Sequence, residues 1–334
     1  MIPQEHTAKV NRALRDSFGV TDFEDIRQMT KGNRTSLVYR IVVRGQAYLL
    51  RLILRTDDAT RHYANMRIAA EAGLAPRVHY ASVEDKVSIT DFIEAVPLRA
   101  SDALTRVPQA LRAVHALPAF AAIPHHINTS CTYLLNRPAI EGFLEKFRAA
   151  RLLPEDQADE LFGAYARLDA ACPRDAADMV SSHNDLFKPD NMLYDGARIW
   201  FIDWEAAFWN DRYADLAVVA NMLVSNDAEA RTYLEAYFGQ PPDAYQLARL
   251  YVMQQVAHVF YAIGFLFIGS EGKPVDYSDA VPDYREFQER FWNGEVELKD
   301  RATKIAFARL HLEELLRNTR GARFQEALAE LILA

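Results

Sequence analysis

Through its first hundred residues the chain runs in short β-branched and apolar stretches of the kind that form strands. Leu37-Val-Tyr-Arg-Ile-Val-Val and Tyr48-Leu-Leu-Arg-Leu-Ile-Leu are two of them, and Arg44-Gly-Gln between them predicts a hairpin. A strand carrying Ile26 and Met29 precedes the pair and ends at Lys31-Gly32-Asn33; two short strands follow, around Val78-His-Tyr and Val87-Ser-Ile-Thr. Ala59 to Ala72 reads as a helix stopped by Gly73 and Pro76. Beyond about Asp91 the rhythm becomes helical, with Ala100 to Leu117, closed by Pro118, the first clear helix. Tyr251 to Gly269 is the most apolar stretch, but Gln254, Gln255 and His258 leave too short an uninterrupted run for a bilayer, so it predicts a buried helix. The later strand signals are Met192-Leu-Tyr and Ile199-Trp-Phe-Ile, joined by the turn Asp195-Gly196-Ala. The expected class is α+β: a small β-rich N-terminal lobe with an antiparallel sheet over residues 1–93, and a larger, mainly helical lobe over 94–334.

The 334 residues are enough for a substantial core, and the composition, half hydrophobic and a quarter charged, is that of a globular protein. With 38 Lys and Arg against 46 Asp and Glu the net charge is −8, so no bulk attraction to nucleic acid or anionic lipid is expected. The charge is uneven. Residues 1–100 carry 15 basic and 12 acidic side chains, whereas the remainder carries 23 and 34. Two cysteines, Cys131 and Cys172, are too few for a disulfide framework or a cysteine-rich metal site. No basic-then-apolar signal follows Met1, and a cytoplasmic protein with no membrane insertion is expected.

The chemistry concentrates in Ser182-His-Asn-Asp-Leu-Phe-Lys-Pro-Asp-Asn-Met-Leu-Tyr-Asp-Gly-Ala-Arg-Ile-Trp-Phe-Ile-Asp-Trp-Glu. Asp185 lies in a His-x-Asp loop, Asn191 starts the first strand of the predicted hairpin, and Asp203 ends its partner. At the open end of a hairpin Asn191 and Asp203 can share one Mg²⁺ through oxygen atoms. A carboxylate such as Asp185 beside a Mg²⁺ pair is what phosphoryl transfer to a hydroxyl requires: the metal neutralises the triphosphate while the base orients the hydroxyl and takes its proton. Taken singly, each residue is as well explained by a surface turn. The joint pattern of His-x-Asp, Asn-apolar-apolar, turn and Ile-Asp is far less accidental.

The segment resembles the catalytic loop and metal-binding hairpin of the protein-kinase-like small-molecule phosphotransferases, the group of aminoglycoside phosphotransferases and choline/ethanolamine kinases. Ile202-Asp203-Trp204-Glu205, followed by Asn210-x-Arg212-x-x-Asp215, is similar to the choline/ethanolamine kinase pattern. The resemblance is strongest over residues 181–222 and implies a bilobal protein-kinase-like fold using ATP and Mg²⁺. It implies Asp185 as catalytic base, His183 as the brace of its loop, Asn191 and Asp203 as metal ligands, and Asp215 as a buried brace of the catalytic loop. Glu205, Asn210 and Arg212 match positions near the acceptor. The family spaces base and asparagine by four residues, and here Leu186-Phe-Lys-Pro-Asp makes five. Either the loop bulges and Asn191 keeps its place, or Asp190 takes it; Asn191 is favoured because it directly precedes the strand and stands twelve residues before Asp203.

On the nucleotide side, Lys31-Gly32-Asn33-Arg-Thr35-Ser36 sits between the first two strands and could cover phosphates with backbone N–H groups, although an ordinary turn reads equally well. Arg51 by itself reads as an exposed strand arginine, but choline-kinase-like sequences resemble this one in having Arg where protein kinases have Lys, and a fixed guanidinium can bind phosphate oxygens bidentately. Glu71 is the helix acid nearest to the position that normally braces that cation, with Asp57 or Asp58 as alternatives. Asp91-Phe-Ile93-Glu matches the inter-lobe segment that meets adenine. No P-loop, dinucleotide fingerprint, His-Glu-x-x-His or Gly-x-Ser-x-Gly occurs, and His125-His126 reads as a polar loop.

The acceptor side is expected among the helices, where Trp209, Tyr213 and Trp292 are the aromatic candidates for holding a cationic alcohol, although aromatics at helical spacing are mostly core. The leading expectation is an ATP- and Mg²⁺-dependent kinase of a small cationic alcohol, choline or ethanolamine first. The alternatives are a kinase of an aminoglycoside or another metabolite such as homoserine or a sugar, and a nucleotide-binding pseudokinase.

Overall fold

The computed structural model describes residues 2–29, 36–56, 58–121, 137–173, 176–278 and 280–333. The chain folds as two compact units, one of residues Met1–Val96 with Asn191–Ala207, the other of Pro97–Asp190 with Phe208–Ala334.

The first unit is built on a five-stranded antiparallel sheet. Its strands are β1 (Asp25–Gln28), β2 (Ser36–Val43), β3 (Gln46–Ile53), β4 (Val78–Ser82) and β5 (Val87–Asp91), in the spatial order β1-β2-β3-β5-β4. Arg44 and Gly45 join β2 to β3, both with positive φ (53° and 74°), the two-residue geometry that matches the twist of the flanking strands. Alternate residues Tyr39, Ile41 and Val43 of β2 and Leu50 and Leu52 of β3 face one core, closed by α1 (Thr7–Phe18) through Val10, Ala13 and Leu14. Each such Val, Leu or Ile side chain contributes about 1.5–3 kcal/mol by leaving water. Helix α1 is an element the strand-dominated sequence reading does not anticipate. Helix α2 (Thr60–Glu71) connects β3 to β4.

The strands β6 (Met179–Ser182), β7 (Met192–Tyr194), β8 (Ile199–Phe201) and β9 (Phe208–Asp211) form two separate ladders: the β7–β8 hairpin lies in the first unit, and β6 pairs with β9 in the second. Asp195 builds the β7–β8 turn. Its carboxylate accepts the N–H groups of Ala197 and Arg198 at 2.8 Å and the Trp200 indole at 2.7 Å, bonds that hold its pKa down at about 2. The hairpin belongs to the sheet unit because its backbone is bonded there. Val96 N–H donates to Tyr194 O at 2.7 Å and Phe201 N–H to Leu74 O at 2.8 Å, and the Asn65 amide donates to Ala207 O at 2.9 Å.

The second unit is mainly helical, with α3 (Ala100–His115), α4 (Arg137–Ala150), α5 (Glu155–Ala171), α6 (Arg212–Leu223), α7 (Asp227–Phe238), α8 (Ala244–Ser270), α9 (Tyr284–Trp292), α10 (Arg301–Thr319) and α11 (Ala322–Leu333). Helix α8 starts with a full capping box, Asp243 and Gln246 satisfying each other's backbone N–H groups. It is long and apolar enough to cross a membrane, yet 89 % of its most apolar window is buried inside the protein, where α5, α6, α10 and α11 pack around it. It is the core helix that its sequence predicts.

Candidate active site

In the first unit the β7–β8 ladder sets Asn191 and Asp203 beside each other. Met192 pairs with Phe201, and one residue further out Ile202 N–H donates to Asn191 O at 3.0 Å. The long loop before β7 ends in a single 3-10 turn, Pro189–Asn191, which exposes Asp190 and buries Asn191. Asp203 sits in the left-handed region (φ 68°, ψ 56°), a conformation that aspartate tolerates better than most residues. Across from it, Arg51 of β3 places Nη1 2.9 Å from Asp203 Oδ1 and Nη2 3.7 Å from Glu205 Oε2. Arg55 Nη2 lies 2.7 Å from the same Glu205 oxygen, and Arg61 Nη2 donates to Glu205 O at 3.2 Å. Burial alone would weaken the Arg51 charge, but Asp203 and Glu205 outweigh it and raise its pKa.

This arrangement differs from the sequence expectation on two points. Glu71 is exposed in the last turn of α2, and the acids on Arg51 are Asp203 and Glu205. Glu205, expected on the acceptor side, is held by the cations Arg51 and Arg55. Asp58 accepts from Thr60 N–H and Oγ at 2.9 and 2.6 Å and so serves the start of α2; those bonds lower its pKa. Asp57, Gly32, Asn33, Thr35, Cys131 and the His125-His126 pair lie outside the described residues, while Ser36 opens β2 opposite Ile53. Asp91 ends β5 opposite Tyr48 with its carboxylate 2.7 Å from His79 Nε2, and Ile93 is half-buried just beyond.

In the second unit the loop of His183, Asn184 and Asp185 leaves β6 and is clamped by one carboxylate. Asp215 on α6 accepts the backbone N–H of His183 through Oδ2 and of Asn184 through Oδ1, both at 2.7 Å. His115 Nε2 lies 3.1 Å from Oδ2, and His115 Nδ1 is 2.7 Å from Tyr237 Oη. Burial opposes the Asp215 charge, but the bond to His115, the charges of His115 and His183 and the His183 N–H bond lower its pKa. Asn184 takes a left-handed φ of 63°, and its side chain accepts the Asn210 amide at 2.7 Å while donating to Ser182 O at 3.2 Å. Asp185 is 2 % exposed, with Lys188 Nζ 3.2 Å from its Oδ2. Lys188, Asn184 and His115 make contacts around this loop to which the sequence assigns no role.

The remaining acceptor-side candidates other than Trp209 have structural partners. Asn210 bonds Asn184, as above. Arg212 places Nε 3.2 Å from Asp178 Oδ1 and donates to Ala177 O at 2.6 Å. Tyr213 is buried under the guanidinium of Arg249, 4.7 Å above its ring, and Arg249 in turn binds Asp211 at 2.5 Å and Asp178 at 3.2 Å. The Trp292 indole donates to Leu98 O at 2.8 Å. Trp209 is half-buried on β9. Among the described residues no group of three or more His, Cys, Asp or Glu is arranged to hold a metal.

These features, a β-sheet cation paired with the acid that ends a short hairpin and a carboxylate-clamped His-Asn-Asp loop, define a phosphotransferase of the protein-kinase-like fold. The model of the phosphotransferase enzyme family (APH) matches residues 25–251, and the chain belongs to that family. Its fold is similar to that of a choline/ethanolamine kinase family protein from Mesorhizobium loti, 19 % identical with TM-score 0.66 over 98 % of this chain and all of that one. It is also similar to a choline kinase from Cryptosporidium parvum (12 % identity, TM-score 0.63, 96 % and 97 % covered). A spectinomycin phosphotransferase solved with ADP and spectinomycin is a third similar structure (14 % identity, TM-score 0.53, 91 % and 98 % covered). No curated protein sequence matches the chain.

Proposed function

We propose that the protein transfers the γ-phosphoryl group of ATP to the hydroxyl of a small cationic alcohol, an amino alcohol of the choline or ethanolamine kind. The observation that carries the phosphoryl-transfer part of this reading is the 2.9 Å pair between Arg51 and Asp203, which supplies a fixed cation for phosphate oxygens beside a carboxylate suited to a hard metal ion; the amino-alcohol acceptor is the part drawn from the likeness to choline and ethanolamine kinases. The Asn191 amide oxygen and the Asp203 carboxylate form a donor set that fits Mg²⁺, which takes few protein ligands and completes its shell with phosphates and water. When bound, Mg²⁺ neutralises charge on the phosphates.

In this reading the first unit holds the nucleotide and the second the acceptor. Arg51 binds phosphate oxygens and keeps Glu205 as its second counter-charge. Asp185 accepts the hydroxyl proton as the acceptor oxygen bonds to the γ-phosphorus and the bond from that phosphorus to the bridging oxygen breaks, releasing ADP. Asp215 holds the His183–Asn184 backbone so that Asp185 keeps its aim. In the same reading the protein works in the cytoplasm, where ATP is supplied.

A coupled ADP-release assay over choline, ethanolamine, homoserine, sugars and aminoglycosides tests the reading, with Asp185→Asn as control. Turnover of an amino alcohol that falls about 10²–10⁴-fold in Asp185→Asn is expected. Turnover of aminoglycosides but not amino alcohols would transfer the assignment to an antibiotic kinase. Nucleotide binding with no turnover of any alcohol would make the protein a pseudokinase.

A further inference from the structure

In the first unit two side chains suited to different ligands are tied to each other. Arg51, the cation for phosphate oxygens, places Nη1 2.9 Å from Asp203 Oδ1, and Asp203 is the carboxylate of the metal donor set. A carboxylate oxygen that accepts a guanidinium is a poor ligand for a divalent cation, because the bonded N–H takes up a lone pair and the positive head repels the ion at short range. The Arg51 and Asp203 side chains are 19 % and 23 % exposed, so water and salt screen that repulsion weakly.

The neighbouring charges sharpen the conflict. Arg55 Nη2 lies 2.7 Å from Glu205 Oε2, and Arg61 donates to the Glu205 carbonyl. Three guanidinium groups thus gather on Asp203 and Glu205, a positive excess that a divalent ion deepens and a nucleotide polyphosphate reverses. Arg51 is also incompletely bonded: among the described residues its Nε is buried without a hydrogen-bond partner, and its Nη2 stands 3.7 Å from Glu205 Oε2. Phosphate oxygens offer this head more acceptors than one carboxylate oxygen does, so the exchange of Asp203 for phosphate is favourable. Glu205 is fixed by Arg55 and Arg61 and keeps its place beside Arg51 through that exchange.

We propose that Arg51 and Asp203 form a charge latch, which keeps a divalent cation off Asp203 until a nucleotide polyphosphate draws Arg51 away, with Glu205 as the fixed pivot. Metal and nucleotide then bind as a coupled pair, and the bare ion is excluded. The inference rests on the nucleotide side of the reading above and is independent of which alcohol is the acceptor.

The probe is Mn²⁺, a paramagnetic substitute for Mg²⁺, whose binding is followed by electron paramagnetic resonance and calorimetry with and without ADP, beside ADP-release kinetics. In the absence of ADP, Arg51→Met should bind Mn²⁺ about ten- to hundredfold more tightly than wild type. The factor by which ADP tightens Mn²⁺ should shrink accordingly. A gain in affinity does not arise from a badly folded variant, and Arg51→Gln, which keeps an amide donor for Asp203, repeats the measurement if Arg51→Met is unstable. Arg51→Lys keeps the charge and should exclude the bare ion as wild type does, and adding Asp203→Asn to Arg51→Met should abolish the gain. Wild type that binds Mn²⁺ equally well with and without ADP, an unchanged affinity in a folded neutral variant, a gain that survives Asp203→Asn, or a lysine variant behaving like Arg51→Met would overturn the latch. If wild type binds no ADP, with or without Mn²⁺, the latch falls together with the nucleotide reading. The expected binding pattern without turnover of any alcohol would leave the latch standing and sink the kinase reading alone.

Discussion

Asp215 Oδ1 accepts the backbone N–H of Asn184 at 2.7 Å from 31 residues further along the chain, and its second oxygen does the same for His183. Asp215→Asn exchanges one of these acceptors for a donor facing a donor. The expected loss is about 3 kcal/mol in urea unfolding, the scale of charged buried hydrogen bonds. The folded-state pKa of Asp215 is lowered, so its stabilisation is present above the ordinary aspartate range and is lost as pH falls below about 4. Stability between neutral and acid pH should accordingly fall less steeply in Asp215→Asn than in wild type. Equal slopes would deny Asp215 this role.

Asn184 combines a left-handed backbone with buried amide bonds, and two substitutions separate them. Asn184→Gly keeps the backbone conformation and loses the amide, whereas Asn184→Ala loses both. Chemical denaturation should place Ala below Gly by about 1 kcal/mol, the cost of that φ for a residue with Cβ. Alanine equal to or better than glycine would show that the backbone strain is not what asparagine resolves.

Glu205 binds Arg51 and Arg55, so its effect should appear on the nucleotide. For Glu205→Gln, steady-state kinetics should give a KM for ATP raised by about tenfold, equivalent to ~1.4 kcal/mol, with the acceptor KM within about twofold. The reverse pattern would return Glu205 to the acceptor side where its sequence neighbourhood suggests it.

That reversal marks what the sequence conveys and what it does not. The β2–β3 and β7–β8 hairpins are readable because Arg44-Gly45 and Asp195-Gly196 act on their own neighbours, through positive φ and through the Asp195 turn bonds. Helix α1 was readable in principle, since Val10, Ala13, Leu14 and Phe18 follow helical spacing before Gly19, but the strand pattern after it dominates the region. The Arg51 partners are another matter. Asp203 lies 152 residues away, and no local periodicity encodes which acid a strand cation will meet, so the nearby Glu71 is the natural and mistaken choice. The His-Asn-Asp loop is readable as chemistry, while Lys188 against Asp185 and the αL turn at Asn184 emerge only from folded geometry.

His258 and His311 should make the second unit sensitive to mild acid. Burial, with Arg285 and Arg317 adding to it, holds the His258 pKa down at about 3, and burial and His258 push His311 well below its usual range. Tyr284 packs on both rings, 5.5 and 5.6 Å away. In the unfolded chain both histidines titrate near 6.5, so below that pH the unfolded state binds protons that the folded state refuses. The stabilisation is complete above about pH 6.5 and is lost as pH falls towards the folded-state values, at up to about 1.4 kcal/mol per pH unit for each histidine. From pH 7 to pH 5 the pair should therefore cost on the order of 4 kcal/mol. Urea unfolding at intervals across that range would show the slope, and His258→Gln should remove about half of it whatever its effect on stability at pH 7. A slope that His258→Gln leaves untouched would mean that other groups carry the acid sensitivity and that the buried pair is not neutral in the folded protein.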